Sequence, residues 1–292
     1  MKEPVLKVAD EELNCDGLRI RFKRAGSGPT LVLVHGLLGY SFSWRSAIPI
    51  LARNWEVFAP DMPGAGFSEC RPDLDCRLRA GAQRLVAFLD GVGVASCGLV
   101  GSSYGGATTI LLAGLAPHKV RSLILVSPAN PWSKNGRKRL AALRNPVVAS
   151  LFPRIARSAR PLHSYFVKRM WGDASRITQD TLDGYSRPLI RPGVFEHSVK
   201  IVSNWKADMA ELQKILPTLA NIPTLLVWGD RDQVVDPGSA ELMKQHLPNG
   251  QIAMIPGAGH LPYEECPEEF CAVVQQFLWS QTPGASVVPH DK

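Results

Sequence analysis

The sequence predicts an α/β fold, a mostly parallel sheet covered by helices on both faces, and two observations carry that prediction. Short β-rich apolar runs alternate with longer stretches of helical patterning. The runs are nearly continuous in their hydrophobicity, as strands buried on both faces must be. The alternation holds at both ends of the chain and lapses for about 80 residues after Ser127.

Taken in order, Leu18 to Lys23 alternates apolar and polar residues (Leu18, Ile20, Phe22), the pattern of a half-exposed antiparallel strand. Buried strands are expected at Thr30 to Val34, Trp55 to Ala59, Gly98 to Gly101, Val120 to Ser127, Thr224 to Trp228 and Gln251 to Ile255. Helices are expected at Trp44 to Ala52, Leu78 to Gly91, Tyr104 to Leu115, Pro237 to His246 and Pro267 to Trp279. Pro237 and Pro267 are placed in a first turn, where the missing N–H costs nothing. The gap between Ser127 and Leu212 is rich in Pro, Arg and Lys and has helical but no strand-like patterning. It reads as an inserted helical cap, residues 130–211, over the carboxyl edge of a core formed by residues 1–129 and 212–292.

At 292 residues the chain is long enough for one large domain with such an insertion, and its 45% hydrophobic and 20% charged content is that of a globular protein. Met1 to Leu13 mixes Lys2, Glu3, Lys7, Asp10, Glu11 and Glu12 with scattered apolar residues, so no secretory signal is read there and a cytoplasmic location is expected. The longest apolar runs are strand-sized, far short of the ~20 residues that span a bilayer. Six cysteines lie without C-x-x-C spacing and are expected to be reduced. No Cys/His cluster has metal-ligand spacing, so neither a metal nor another cofactor is expected. No nucleic-acid-binding pattern is present. The tail from Gln281 to Lys292 reads as a frayed end.

Gly101-Ser102-Ser103-Tyr104-Gly105 has the G-x-S-x-G form and stands between an expected strand and an expected helix. A serine at the apex of such a turn is held in a strained backbone that exposes its hydroxyl, and glycines are needed where neighbouring elements press close. Ser103, not Ser102, fits the register, because the residue two before Ser102 is Val100. A serine hydroxyl is a poor nucleophile until a base takes its proton. Of the seven histidines, His260 is best placed, in Gly257-Ala258-Gly259-His260 between the last strand and the last helix. An imidazolium forming in the transition state needs a carboxylate to hold its tautomer. Asp230 and Asp232 both follow Trp228-Gly229; Asp232 is the chosen acid, and Asp230, beside the strand end, is expected to support the turn. The backbone N–H groups of Tyr104 and Leu37 are the expected donors of an oxyanion hole, and His35 is expected to brace the Leu37 loop by hydrogen bonding.

These residues justify naming a resemblance. His35-Gly36-Leu37, Asp61-Met62-Pro63-Gly64-Ala65-Gly66-Phe67-Ser68, the Ser103 turn, Trp228-Gly229-Asp230-Arg231-Asp232 and Gly259-His260 together resemble the cap-bearing serine hydrolases of the α/β-hydrolase superfamily. The resemblance runs from about Leu18 to Trp279. It implies an eight-stranded sheet, the chain order Ser, Asp, His, and a structural role for the Asp61 to Ser68 turn. The superfamily's dehalogenases and epoxide hydrolases use an aspartate where this chain has Ser103. The activity it implies is hydrolysis of a carboxylic ester through an acyl-enzyme, as in carboxylesterases. A carbon–carbon hydrolase of a dienoate-type diketone uses the same triad, but those relatives resemble Gly-Asn-Ser-x-Gly-Gly at the turn, where this chain has Ser102 in the Asn position. A third reading, of another class, is a receptor-like or scaffold protein that binds a small ligand with little turnover.

The insertion says less about substrate. Trp132, Leu140, Leu143, Phe152, Tyr165, Phe166 and Trp171 are either the core of the cap or the lining of an apolar acyl pocket. Residues 134–169 contain ten Lys or Arg and no Asp or Glu. Over 130–211 there are fifteen basic and six acidic residues, a net of +9, so with +7 for the whole chain the remainder carries −2. Three readings of that charge stand: a solvated surface, attraction of an anionic substrate, and peripheral docking on anionic lipid through Leu143, Val147, Val148, Leu151 and Phe152, against which Pro146 and Pro153 count as helix breakers.

Overall fold

The computed structural model describes residues 7–135, 142–143 and 145–281. The sheet has eight strands in the order β1-β2-β4-β3-β5-β6-β7-β8. They are β1 (Ala9–Cys15), β2 (Leu18–Ala25), β3 (Thr30–Val34), β4 (Glu56–Pro60), β5 (Cys97–Ser102), β6 (Val120–Val126), β7 (Thr224–Gly229) and β8 (Gln251–Ile255). β2 runs antiparallel to both β1 and β4, and every other pairing is parallel. The chain therefore steps from β3 out to β4 and returns on the other side of β3 as β5. That reversal opens a crevice at the carboxyl ends of β3 and β5, where ligands bind in sheets of this kind.

β1 is the strand the sequence reading missed. Only Cys15 is buried along it, so there was no apolar run to find. It pairs with β2 through a two-residue turn in which Asp16 has φ 50° and Gly17 φ 73°, both left-handed. Asp-Gly is the dipeptide that turn favours, and it was the available signal.

The helices whose limits fall among the described residues are α1 (Ile48–Leu51), α2 (Leu78–Gly91), α3 (Tyr104–Leu115), α4 (Pro146–Ser158), α5 (Arg160–Met170), α6 (Gln179–Leu189), α7 (Val194–Ile215), α8 (Ser239–Lys244), α9 (Pro262–Glu265) and α10 (Pro267–Ser280). α2 and α3 have the expected limits. The helix expected over Trp44 to Ala52 is instead a 3₁₀ turn at Ser41–Trp44 followed by the single turn of α1. Pro49 is the reason: its ring excludes the carbonyl four residues back, so a helix containing it must start just before it. Pro237 precedes α8 rather than entering it, because Asp236 closes its own turn through Gly238 N–H (3.0 Å) and Ser239 N–H (2.9 Å).

Alternation along the strands divides the core. Val32, Val34 and Leu99 face Leu85, Phe88 and Ile110 of α2 and α3. Leu31, Leu33 and Val100 face Trp44, Ile48 and Phe270 on the other side. Between β6 and β7 the described elements are all helical. α7 is one unbroken helix of 22 residues, so the expected boundary at 212 falls inside it. Its last turns belong with the core: Met209 and Leu212 are buried in the α2/α3 cluster, and a Cβ at Gly114 of α3 would stand 2.6 Å from Ile215.

Candidate active site

Ser103 is the residue between β5 and α3, with φ 53° and ψ −119°. A side chain rarely adopts that left-handed backbone, and its cost, of order 1–3 kcal/mol, is sustained here by surrounding contacts. Ser103 N–H donates to Val126 O of the neighbouring strand (2.9 Å), and its carbonyl accepts from Ala129 (2.8 Å). Gly105 is required because a Cβ there would run into the carbonyls of Val34 and His35. The hydroxyl does not cap α3 and makes no hydrogen bond among the described residues.

The β3 carboxyl end delivers the facing loop. A Cβ at Gly36 would stand 3.0 Å from Ser103 Cβ and 3.6 Å from its Oγ, so that loop passes directly over the serine. Leu38 is left-handed at φ 62°. Among the described residues, neither the Leu37 nor the Tyr104 N–H donates to a protein acceptor. The Tyr104 N–H is also at the positive end of α3. His35 holds this loop as expected. Met62 N–H donates to its Nε2 (2.9 Å), which leaves the proton on Nδ1 to donate to Gly36 O (2.8 Å). Burial pushes its pKa down, in keeping with a neutral brace. Asp61 is likewise structural, its two carboxylate oxygens accepting from Ser41 N–H and Phe67 N–H, each at 2.8 Å.

β7 and β8 are neighbours, and they bring the other two residues together. His260 Nδ1 and Asp232 Oδ2 are 2.8 Å apart with both side chains buried. The other oxygen of Asp232 accepts from Val234 N–H (2.7 Å) and Val235 N–H (3.0 Å), and Trp228 Nε1 donates to Val235 O (3.2 Å), so the carboxylate cannot turn away. Asp230 serves the turn, its Oδ1 accepting from Gly257 N–H at 2.7 Å. No hydrogen bond joins the Ser103 hydroxyl to His260 among the described residues.

Against this framework the comparisons with known proteins decide the family. The model of the alpha/beta hydrolase fold family matches residues 29–267. The chain belongs to the α/β-hydrolase family. An uncharacterized protein of Mycobacterium tuberculosis is 28% identical over 96% of this chain and 85% of its own length. Lipase 3 of a Moraxella species is 30% identical over 82% of this chain and 74% of its own. The solved structure of the epoxide hydrolase CorEH superposes with a TM-score of 0.84 at 21% identity, covering 94% of this chain and all of that one, which is a likeness of fold.

Four residues of this α/β hydrolase went unrecognised in the sequence. Glu265 accepts from Gly259 N–H (2.7 Å) and from Gly172 N–H (2.8 Å), tying the His260 loop to the end of α5. Met170 O accepts from His260 N–H at 2.6 Å, completing the tie. Glu264 is buried with Arg45 Nη1 2.9 Å from its Oε2 and the Tyr185 hydroxyl donating to its Oε1; desolvation outweighs Arg45 and raises its pKa to about 7. Tyr263 donates to Ser102 Oγ (3.1 Å). Glu264-Glu265 in the first turn of a helix reads as ordinary solvated charge, and only the fold buries it.

A small cavity of about 50 Å³ abuts the Leu37 loop and is lined in part by Leu38, Met62, Cys76, Tyr104 and His197. His197 is held neutral there, its pKa lowered to about 4 chiefly by burial, with Cys76 Sγ 3.3 Å from its Nδ1. Of the aromatic and aliphatic residues expected to form the insertion's core or an acyl pocket, Trp171 is buried against the core, Phe152 packs on Phe195, and Tyr165 is exposed; Leu140 lies outside the described residues.

Proposed function

We propose that this chain hydrolyses a carboxylic ester, with Ser103 as nucleophile, His260 as general base and Asp232 as the acid that orients it. The observation that carries the reading is the strained Ser103 turn at the sheet's reversal point, on the same carboxyl edge as the His260–Asp232 pair. The lipase name of the Moraxella relative supports an ester as the bond cleaved.

In this mechanism His260 Nε2 takes the Ser103 proton as Oγ attacks the ester carbonyl, and the Leu37 and Tyr104 N–H groups stabilise the oxyanion. Asp232 keeps the Nδ1 proton in place and offsets the charge of the imidazolium. Collapse breaks the bond to the alkoxide, which takes the proton from His260 and leaves as an alcohol. Water, activated by the same imidazole, then attacks the acyl-enzyme and restores the serine. Residues 130–211 act as the cap, and the cavity beside Leu37 takes a small end of the substrate.

The test is reaction with a fluorophosphonate probe, read by peptide mapping, alongside turnover of p-nitrophenyl esters of increasing chain length. Labelling at Ser103 with turnover is expected. Labelling with no ester turnover would favour a carbon–carbon substrate. No labelling of folded protein would favour a ligand-binding role.

A further inference from the structure

The insertion carries an apolar face that no described residue covers. α4 is well started: Asn145 Oδ1 accepts from Val147 N–H (3.0 Å) and Val148 N–H (3.3 Å). Pro146 stands at its first position, and Pro153 lies buried on the inner side, so neither proline breaks the helix as the sequence suggested. The inner side packs on α7, with Phe152 edge-on to Phe195 at 5.9 Å between ring centres and Ala156 fully buried.

The outer side presents Val147, Leu151 and Ile155, spaced four residues apart and so aligned in one stripe. They are 63%, 49% and 61% exposed, with Val148 beside them at 38%. Eight large hydrophobic side chains are exposed among the described residues, and four of them are on this one helix. Single exposed hydrophobics are ordinary, whereas a contiguous stripe marks a surface that meets an apolar partner.

The charge around the stripe selects the partner. Arg154 on α4 and Lys168 on α5 are exposed and have no ion-pair partner among the described residues. Residues 134–169 contain no acidic residue at all. Among the described residues, the carboxylate that meets a cation of α4 or α5 is Glu196 of α7, taken up by Arg157, so an apolar stripe with Arg154 and Lys168 left unpaired on the same two helices fits the boundary between headgroups and acyl chains of an anionic bilayer. A second copy of this chain fits poorly, because a two-fold contact through α4 would bring two insertions of net charge +9 face to face.

We propose that α4 docks this protein peripherally on anionic lipid, with Val147, Leu151 and Ile155 entering the interface and Arg154 and Lys168 meeting the headgroups. No crossing is involved, since no described helix is long and apolar enough to span a membrane.

Sedimentation of the full chain with vesicles tests this, using phosphatidylcholine alone and phosphatidylcholine mixed with phosphatidylglycerol. Binding is expected to the mixed vesicles only, and to weaken in about 0.5 M salt. The combined Val147→Ser, Leu151→Ser, Ile155→Ser variant should bind about tenfold less or worse. The Arg154→Gln, Lys168→Gln pair should lose the preference for anionic lipid while its turnover of a soluble ester stays at the wild-type level. Absence of vesicle binding, or binding that the serine triple leaves unchanged, overturns the proposal. So does light scattering that shows a dimer which the triple dissolves, because the stripe is then a self-interface. Vesicle binding is read without substrate, so its outcome is independent of whether Ser103 is a nucleophile.

Discussion

Glu265 accepts a hydrogen bond from the backbone of Gly259 at 2.7 Å, so a residue five positions downstream of His260 fixes the loop on which that histidine stands. Its other oxygen reaches Gly172 at the end of α5, and the position of the imidazole is thereby coupled to the inserted helices.

Glu265→Gln tests that coupling. A carboxamide has a single acceptor oxygen, so one of the two N–H groups is left facing an NH₂. A destabilisation of about 1–3 kcal/mol is expected by denaturant unfolding. In steady-state kinetics kcat should fall more than KM rises, because the loop carrying His260 loses its tie while the cavity beside Leu37 is untouched. Unchanged kcat in the folded variant would make Glu265 a stabilising residue only.

Ser103→Ala should lower kcat on a p-nitrophenyl ester by at least about 10⁴-fold, as removal of a nucleophile does. Its thermal unfolding should be close to wild type, since the hydroxyl makes no hydrogen bond among the described residues. Retention of near-normal turnover would remove Ser103 from the chemistry.

The two aspartates after β7 should separate cleanly. Asp232→Asn replaces the acceptor for His260 Nδ1 and is expected to cost about 10³–10⁴-fold in kcat. Asp230→Asn keeps an oxygen for Gly257 N–H and should leave kcat within about tenfold of wild type. The opposite ranking in a kinetic comparison would reverse their assignment.

Glu264 should leave a mark on stability against pH. Its folded pKa is raised to about 7 from an ordinary 4.5, so the folded state holds its proton more tightly than the unfolded chain. The stabilisation is fully present below about pH 4.5 and is lost as pH rises through about 7. Differential scanning calorimetry of wild type and Glu264→Gln across that window should show the wild type losing ground to the variant as pH rises. Parallel curves would mean that Arg45 keeps Glu264 ionised throughout.

The sequence by itself determined the central strands, α2, α3 and α10, and the candidate residues Ser103, His260 and Asp232, together with the bracing role of His35 and the turn-supporting role of Asp230. Those features are local: an apolar run between two turns, or a glycine-flanked residue at a strand end, writes its environment into its immediate neighbours. Tertiary structure decided the rest. β1 is half polar and exists because β2 offers it an edge. The burial of Glu264 and Glu265, the continuation of α7 through the expected boundary at 212, and the exposure of Val147, Leu151 and Ile155 depend on what lies opposite each face. The sequence of a helix fixes which residues share a face, but only the packing of the whole chain determines whether that face meets protein or solvent.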